Sequence, residues 1–263
     1  MDTNNIKRNI RAHERITHLG FPHKLINLMV VDRIKNQIGH FHKHKKFNLR
    51  ALDVGCGTGY LLDKLLKLGL DAWGVDPYPR IEEENHHLSS RITMGTIEKV
   101  DRANYHFITA IEVLEHVEDY IGLLASMKRL LHPDGLIIST VPNNWEIKIA
   151  QNNSQPKDPL YGHLWQFDMK SFASDLRSFS NNVSVESIYS STLDRRLLSI
   201  TRIFPSKAVI LLSRILVKYL NNGGWLLGII RKNGAGFNPG DKANLVRPSA
   251  VYYKDTPLFK GKG

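Results

Sequence analysis

The chain has 263 residues, 42% of them apolar and 23% charged, which fits one globular α/β domain with extensions or two small domains. Its single cysteine, Cys56, excludes an internal disulfide and a Cys-based zinc site, and no run reaches the ~18 uncharged apolar residues of a membrane span. The net charge of +11 is unevenly spread: residues 1–50 carry 11 Lys/Arg against 3 Asp/Glu, residues 51–201 carry 14 against 20, and residues 202–263 carry 11 against 2.

An acidic centre thus lies between two basic ends, which suit either solvated flanks or contact with a polyanion such as nucleic acid or anionic lipid. Residues 1–20 are polar and hold no apolar stretch of secretory-signal length, so a cytoplasmic protein is expected. Pro22 opens a helix through Leu25, Leu28, Met29 and Ile38, with Gly39 as its stop signal. His40 to Lys46 reads as a basic linker. Its alternating His40, His42 and His44 would share one face only on a strand.

Residues 50–55 read as a buried strand running into a glycine turn, and Tyr60 to Leu68 as a leucine-rich helix closed by Gly69. Ala72 to Val75 forms a second strand ending at Asp76, residues 81–90 a short helix and residues 91–94 a third strand. His106 to Ala110 and Leu136 to Thr140 are strands, with the helix Tyr120 to Leu131 between them. Residues 142–166 are polar and loop-like, Asp168 caps a helix to Phe179, and residues 183–200 supply the last strands. This alternation implies a doubly wound, mostly parallel sheet with helices on both faces. Beyond Pro205 an apolar helix runs to Leu220, then a Gly-Gly break, then apolar Trp225 to Ile230. The Gly/Pro/Lys-rich tail from Lys232 is expected to be poorly ordered. The division is an N-terminal helical, basic segment (1–47), a central domain (48–201) and a C-terminal helical extension (202–263).

Glycines 55, 57 and 59 sit between a strand and a helix, where the backbone can turn tightly and approach a ligand. The dinucleotide fingerprint needs a further glycine at 60 or 62, which here are Tyr60 and Leu62, so a dehydrogenase is disfavoured. Asp53 puts a carboxylate near the strand end, which suits a cationic ligand. Asp76 can accept both hydroxyls of a ribose, or simply open an Asp-Pro turn with Pro77. Glu112, Glu115 and His116 are spaced to share one face of a helical turn. With His163 they offer two carboxylates and two imidazoles, a ligand set for Mg²⁺ or Mn²⁺. Without a metal, His116 or His163 is the general base.

The ordered motifs DVGCGTG (53–59), GVD (74–76), TIEKV (96–100), FITAIEVLEHV (107–117) and LLHPDGLIISTVPN (130–143) resemble those of the class I S-adenosylmethionine-dependent methyltransferases. Within that group IEVLEHV, the T-I-E motif and G-H-x-x-x-F at 162–167 look most like the ubiquinone-biosynthesis O-methyltransferase branch. The resemblance covers about residues 48–180 and implies a Rossmann-like methyltransferase fold and S-adenosylmethionine as cofactor. It also implies that Gly55, Gly57 and Gly59 line the methionine and ribose, that Asp76 holds the ribose, and that Thr96 and Ile97 flank the adenine. For the site at Glu112, Glu115, His116 and His163 it implies roles in metal binding and catalysis. The implied acceptor is a hydroxylated small molecule, a quinone precursor or a lipid-linked compound. Alternatives are an RNA 2′-O-methyltransferase, which lacks a visible aromatic stacking module in the basic segments, and a non-catalytic cofactor-binding scaffold.

The segment Pro205 to Asn222 places Lys207, Arg214, Lys218 and Asn221 on one helical face, with the remainder largely apolar. Such a helix either packs on the domain or a second copy, or lies peripherally in an anionic membrane interface.

Overall fold

The computed structural model describes residues 21–42, 48–143, 163–190, 205–220, 223–232 and 249–252. Five α-helices are described: α1 (Phe21–His42), α2 (Tyr60–Lys67), α3 (Tyr120–Leu130), α4 (Met169–Arg177) and α5 (Ser206–Leu220). The strands are β1 (Arg50–Val54), β2 (Asp71–Asp76), β3 (Ile92–Met94), β4 (Tyr105–Ile111), β5 (Leu131–Pro142), β6 (Trp165–Gln166), β7 (Val183–Ser190), β8 (Gly223–Arg231) and β9 (Val251–Tyr252). Seven of them form one sheet in the order β3-β2-β1-β4-β5-β8-β7, and β6 pairs with β9. The pairs β1–β2, β1–β4, β2–β3 and β4–β5 are parallel, whereas β8 runs antiparallel to both β5 and β7. The doubly wound, mostly parallel architecture expected from the sequence is the one found.

Side-chain alternation along the strands feeds two apolar layers, because successive residues point to opposite faces of a sheet. Phe107, Leu136, Ile138, Leu227 and Ile229 join the layer that includes Leu25, Ile26, Met29 and Val30 of α1 and Leu61, Leu62 and Leu65 of α2. Their strand neighbours Ile108, Ile137, Leu226 and Ile230 join Ile121, Leu124 and Met127 of α3 and Phe172 and Leu176 of α4 on the other face. At Gly228 the α4 side chains Leu176 and Phe172 come so close that a Cβ would collide with them. Glycine therefore sets the distance between α4 and β8.

Local signals explain several boundaries. The Asp168 carboxylate accepts from Ser171 N–H at 2.8 Å and Ser171 Oγ accepts from Asp168 N–H at 3.0 Å, closing a reciprocal cap at the expected residue. The expected stop at Gly39 fails, because α1 continues to His42. Phe41 in its last turn packs edge-to-face on Phe107 and His106, and this tertiary support outweighs the ~1 kcal/mol a helical glycine costs. His40 and His42 therefore belong to a helix rather than a linker, while His44 lies outside the described residues. Residues Glu83–Arg91 form a 3-10 helix rather than an α-helix, and β5 begins at Leu131, directly after α3.

The C-terminal part needs a larger correction. Residues 202–263 read as an extension, yet β8 lies inside the main sheet, between β5 and β7. Of the strands expected over 183–200, β7 accounts for residues 183–190. The rest of that segment and most of the tail beyond Lys232 lie outside the described residues. The N-terminal α1 likewise shares the core of the central domain. Among the described residues no helix is long and apolar enough to cross a membrane.

A chain ended at Leu220 would leave the facing edges of β5 and β7 with unpaired backbone groups, and such groups are costly when buried. We expect this truncation to abolish the cooperative thermal transition followed by circular dichroism. A detachable extension would leave the transition intact.

Candidate active site

The strand order reverses between β1 and β4, and in such sheets ligands bind at the carboxyl ends of the strands flanking the reversal. The glycine turn follows β1, and Glu112 follows β4. Gly55, Gly57 and Gly59 all have positive φ (71°, 47° and 79°), a conformation that costs side-chain-bearing residues energy. At Gly55 a Cβ would also strike Val113. The turn is tied down by Gly55 N–H to Val75 O at 2.8 Å and Gly59 N–H to Cys56 O at 2.9 Å.

Asp76, at the end of β2, opens the Asp-Pro turn considered for it and also ties that strand to the glycine turn. Its Oδ1 accepts from Tyr78 N–H at 2.7 Å, closing the Asp-Pro turn, and its Oδ2 accepts from Gly57 N–H at 3.0 Å, joining β2 to the glycine turn. Two donors leave lone pairs free on both oxygens, so the carboxylate retains capacity for a diol. Asp53 is buried beside it, and Thr109 Oγ1 donates to its Oδ1 at 2.8 Å. Burial, resisted by the Thr109 hydrogen bond and assisted by the charge of Asp76, pushes its pKa up to about 7. Gly95 N–H donates to Asp76 O at 2.9 Å, which sets Thr96 and Ile97 beyond the end of β3. Thr96 is exposed and precedes a short 3-10 turn, whereas Ile97 is buried in the core.

The second cluster forms beyond β4. Ligand atoms of Glu115, His116 and His163 all lie within 4.8 Å of one another. A 3-10 turn, Leu114–His116, presents the first two, and Leu164 N–H, bonded to Glu115 O at 2.6 Å, anchors the segment that carries His163. Glu115 is fully buried, and among the described residues neither carboxylate oxygen has a hydrogen-bond partner. Such a group demands an explanation. Burial, then the charge of Glu112, holds its pKa well above the carboxylate range. His163 Nδ1 is also without a partner. Burial, then the proximity of His23, lowers its pKa to about 4, which keeps the imidazole neutral at pH 7 and fit to ligate a metal.

Glu112 departs from the expected ligand set, because it lies outside the group formed by the other three. Its Oε1 accepts from Thr140 Oγ1 at 2.9 Å and its Oε2 from Trp225 Nε1 at 2.6 Å. Its φ of 58° is a strained conformation for a non-glycine residue, of the kind that clusters at functional sites. Trp225 in turn meets Tyr189 at 5.4 Å and His23 at 6.2 Å, both edge-on. Sequence reasoning missed Thr140, His23, Tyr189 and Trp225. Only the apolar run from Trp225 hinted at a buried strand, and nothing local pairs it with Glu112.

A family model described as a methyltransferase domain matches residues 21–180. A curated relative from Bradyrhizobium sp. (strain ORS 278), named ubiquinone biosynthesis O-methyltransferase, is 37% identical over 106 residues, 37% of this chain and 42% of its own length. A relative of the same name from Rhodopseudomonas palustris (strain HaA2) is 33% identical over a match of the same extent. The chain thus matches about two fifths of the length of these relatives. Among solved structures, the plantazolicin methyltransferase BamL, in complex with a triazolic desmethylPZN analog and SAH, aligns with a TM-score of 0.57 at 16% identity, covering 86% of this chain and 90% of its own. The related BpumL in complex with SAH gives 0.54, also at 16% identity, covering 88% and 91%. These likenesses concern the fold.

The raised pKa of Asp53 has a stability consequence. Between its unfolded value near 3.9 and about 7 the folded state holds the extra proton, so this group's contribution to stability falls as pH rises through that window and levels off above it. Asp53→Asn removes the titration while keeping an acceptor for Thr109. In urea unfolding, we expect its stability relative to wild type to rise by about 3 kcal/mol between roughly pH 5 and pH 8.

Proposed function

The chain belongs to the methyltransferase-domain family whose model spans residues 21–180, and we propose that it binds S-adenosylmethionine at the glycine turn and transfers a methyl group to an oxygen of a hydroxylated small molecule, a quinone precursor or a lipid-linked compound. The observation that carries this reading is the positive-φ glycine turn, bonded to Asp76 through Gly57, which follows β1 at the reversal of strand order, while the Glu115–His116–His163 group gathers beyond the neighbouring β4.

On this reading the open lone pairs of Asp76 accept the ribose hydroxyls. Gly55, Gly57 and Gly59 admit the backbone close to the cofactor, and Thr96 and Ile97 flank the adenine. Asp53, once ionised, favours a cationic ligand. The cofactor supplies an electrophilic methyl group on a sulfonium, so the chain's task is to align the acceptor oxygen with that methyl and exclude water.

The orphaned oxygens of Glu115 fit a divalent cation better than an apolar filler, because a buried carboxylate needs a compensating charge. Glu115, His116 and His163 would hold Mg²⁺ or Mn²⁺, and such an ion would lower the pKa of an acceptor hydroxyl bound to it. Glu112, held by Thr140 and Trp225, is a fixed carboxylate rather than a ligand. If no ion is held, His116 or His163 takes the acceptor proton. A quinone-precursor acceptor agrees with the name of the curated relatives over the matched segment.

Calorimetry with S-adenosylmethionine tests the cofactor half. Wild type should bind, and Asp76→Ala should weaken binding roughly hundredfold, the effect of losing two hydrogen bonds to a charged acceptor. Absence of wild-type binding would refute the proposal. The metal half is tested with phenolic acceptors. Excess chelator should abolish turnover, Mn²⁺ should restore it, and His163→Ala should prevent that restoration. Full activity in chelator would reject the metal and leave an imidazole as base.

A further inference from the structure

We infer that α5 is a docking surface for an anionic lipid bilayer. Helix α5 is held to the domain by one side only. Val209 and Ser213, one turn apart, are buried, and Arg214 pairs with Asp32 of α1 at 2.9 Å. The opposite side leaves Leu211 60%, Leu212 41%, Ile215 44% and Tyr219 77% exposed. At helical spacing Leu211, Ile215 and Tyr219 fall in one row, with Leu212 beside it. Lys207, Arg214 and Lys218 form the adjoining row, and the helix contains no acidic residue.

An apolar row flanked by cations is the pattern of a helix lying in a bilayer interface. Leucine and isoleucine enter the acyl boundary while the cations stay at the phosphates. Tyr219 adds an amphipathic ring suited to the same depth. Of the acidic groups on neighbouring elements, Asp32 pairs with Arg214 of the row at 2.9 Å and Glu186 with Arg33 at 2.5 Å, so Lys207 and Lys218 carry the row's charge. Arg33, Arg214 and Lys218 also line a cavity of about 370 Å³ between α1, β7, β8 and α5, which has Glu186 as its one carboxylate and Val217 and Leu227 among its apolar walls.

Charge selects the occupant. In a two-fold contact with a second copy, the cationic row of one chain would meet its own like near the axis, on a chain whose net charge is already +11. Anionic headgroups neutralise that row instead. The surface is also coupled to the crevice. Gly223 begins β8 three residues after α5 ends, its carbonyl accepts from Asn143 Nδ2 at 2.9 Å, and Trp225 two residues on donates to Glu112. A docked α5 would therefore bring the acceptor side of the crevice near the membrane surface. The inference does not depend on which acceptor is methylated.

The test is co-sedimentation of the full chain with vesicles of phosphatidylcholine alone or mixed with phosphatidylglycerol. Binding should require phosphatidylglycerol and weaken with salt. The double substitution Lys207→Gln/Lys218→Gln should weaken it roughly thirtyfold, and Leu211→Ser/Ile215→Ser at least about tenfold. Neither variant should shift the melting transition or S-adenosylmethionine binding, since all four side chains are exposed or on the solvent flank. Failure of wild type to bind the mixed vesicles overturns the inference, as does equal binding by both variants. So does a wild-type dimer in sedimentation velocity that the apolar substitutions dissociate, because it would assign the face to a second copy.

Discussion

Strands β1 and β4 are neighbours in the sheet although β2 and β3 lie between them in the chain, and the crevice at their carboxyl ends is the constraint on which the rest of the molecule depends. Parallel pairing on both sides of β1 makes the chain leave every strand of the central sheet at the same edge. The glycine turn, Asp76, the Thr96–Ile97 turn and Glu112 are therefore gathered at one rim without any contact between distant loops having to be built separately. Helices on both faces bury most of β1 and β4, so polar groups such as Asp53 and Thr109 must find partners within the sheet.

Four carboxylates around this rim have four different environments, and these differences give the site its chemistry. Asp76 is bonded by two backbone N–H groups, an arrangement that leaves it open to further donors. Asp53 has a single hydroxyl donor and full burial, and its pKa is up at about 7. Glu112 has a side-chain donor on each oxygen, which fixes its orientation. Glu115 has none among the described residues. A site that leaves one buried carboxyl unpartnered beside two imidazoles stores an unmet demand for positive charge, and the neighbouring Glu112 sharpens that demand.

The glycine-turn half of the candidate site was legible in the sequence because it is local: a strand, three glycines and an acid at the end of the next strand. Those signals are written into short segments, and positive φ leaves glycine as the economical residue at 55, 57 and 59. The triad of Glu115, His116 and His163 was legible as a convergence, but the place of Glu112 was not. Spacing alone puts Glu112 on the same helical turn as Glu115 and His116. In the fold it sits one step before the turn with φ of 58°, bound to Thr140 on β5 and Trp225 on β8, 28 and 113 residues away. No periodicity reports a contact of that range. The helix stop at Gly39 failed for the same reason, since Phe41 is anchored by β4 rather than by its own helix. The reading of residues 202–263 as an appendage failed because β8 follows a Gly-Gly pair that resembles a break. Its antiparallel insertion is dictated by the edges of β5 and β7 rather than by its own pattern.

That insertion joins features that are separate in the sequence. β8 is buried along nearly its whole length, so its position is rigid, and Trp225 at its start is held by Tyr189 and Glu112. The strained backbone of Glu112 can persist because Trp225, Thr140 Oγ1 and the Glu112 N–H to Thr140 O bond of 3.1 Å over-determine it. Helix α5 is tied to α1 through Arg214 and Asp32 and packs mainly on β7, the strand that pairs with β8 from Gly223 to Ile230. Glu112 is thus linked through Trp225 on β8 and its neighbour β7 to the helix that carries the exposed apolar row. The glycine turn and Asp76, at the ends of β1 and β2, lie across β4, β5 and β8 from β7 in the sheet order.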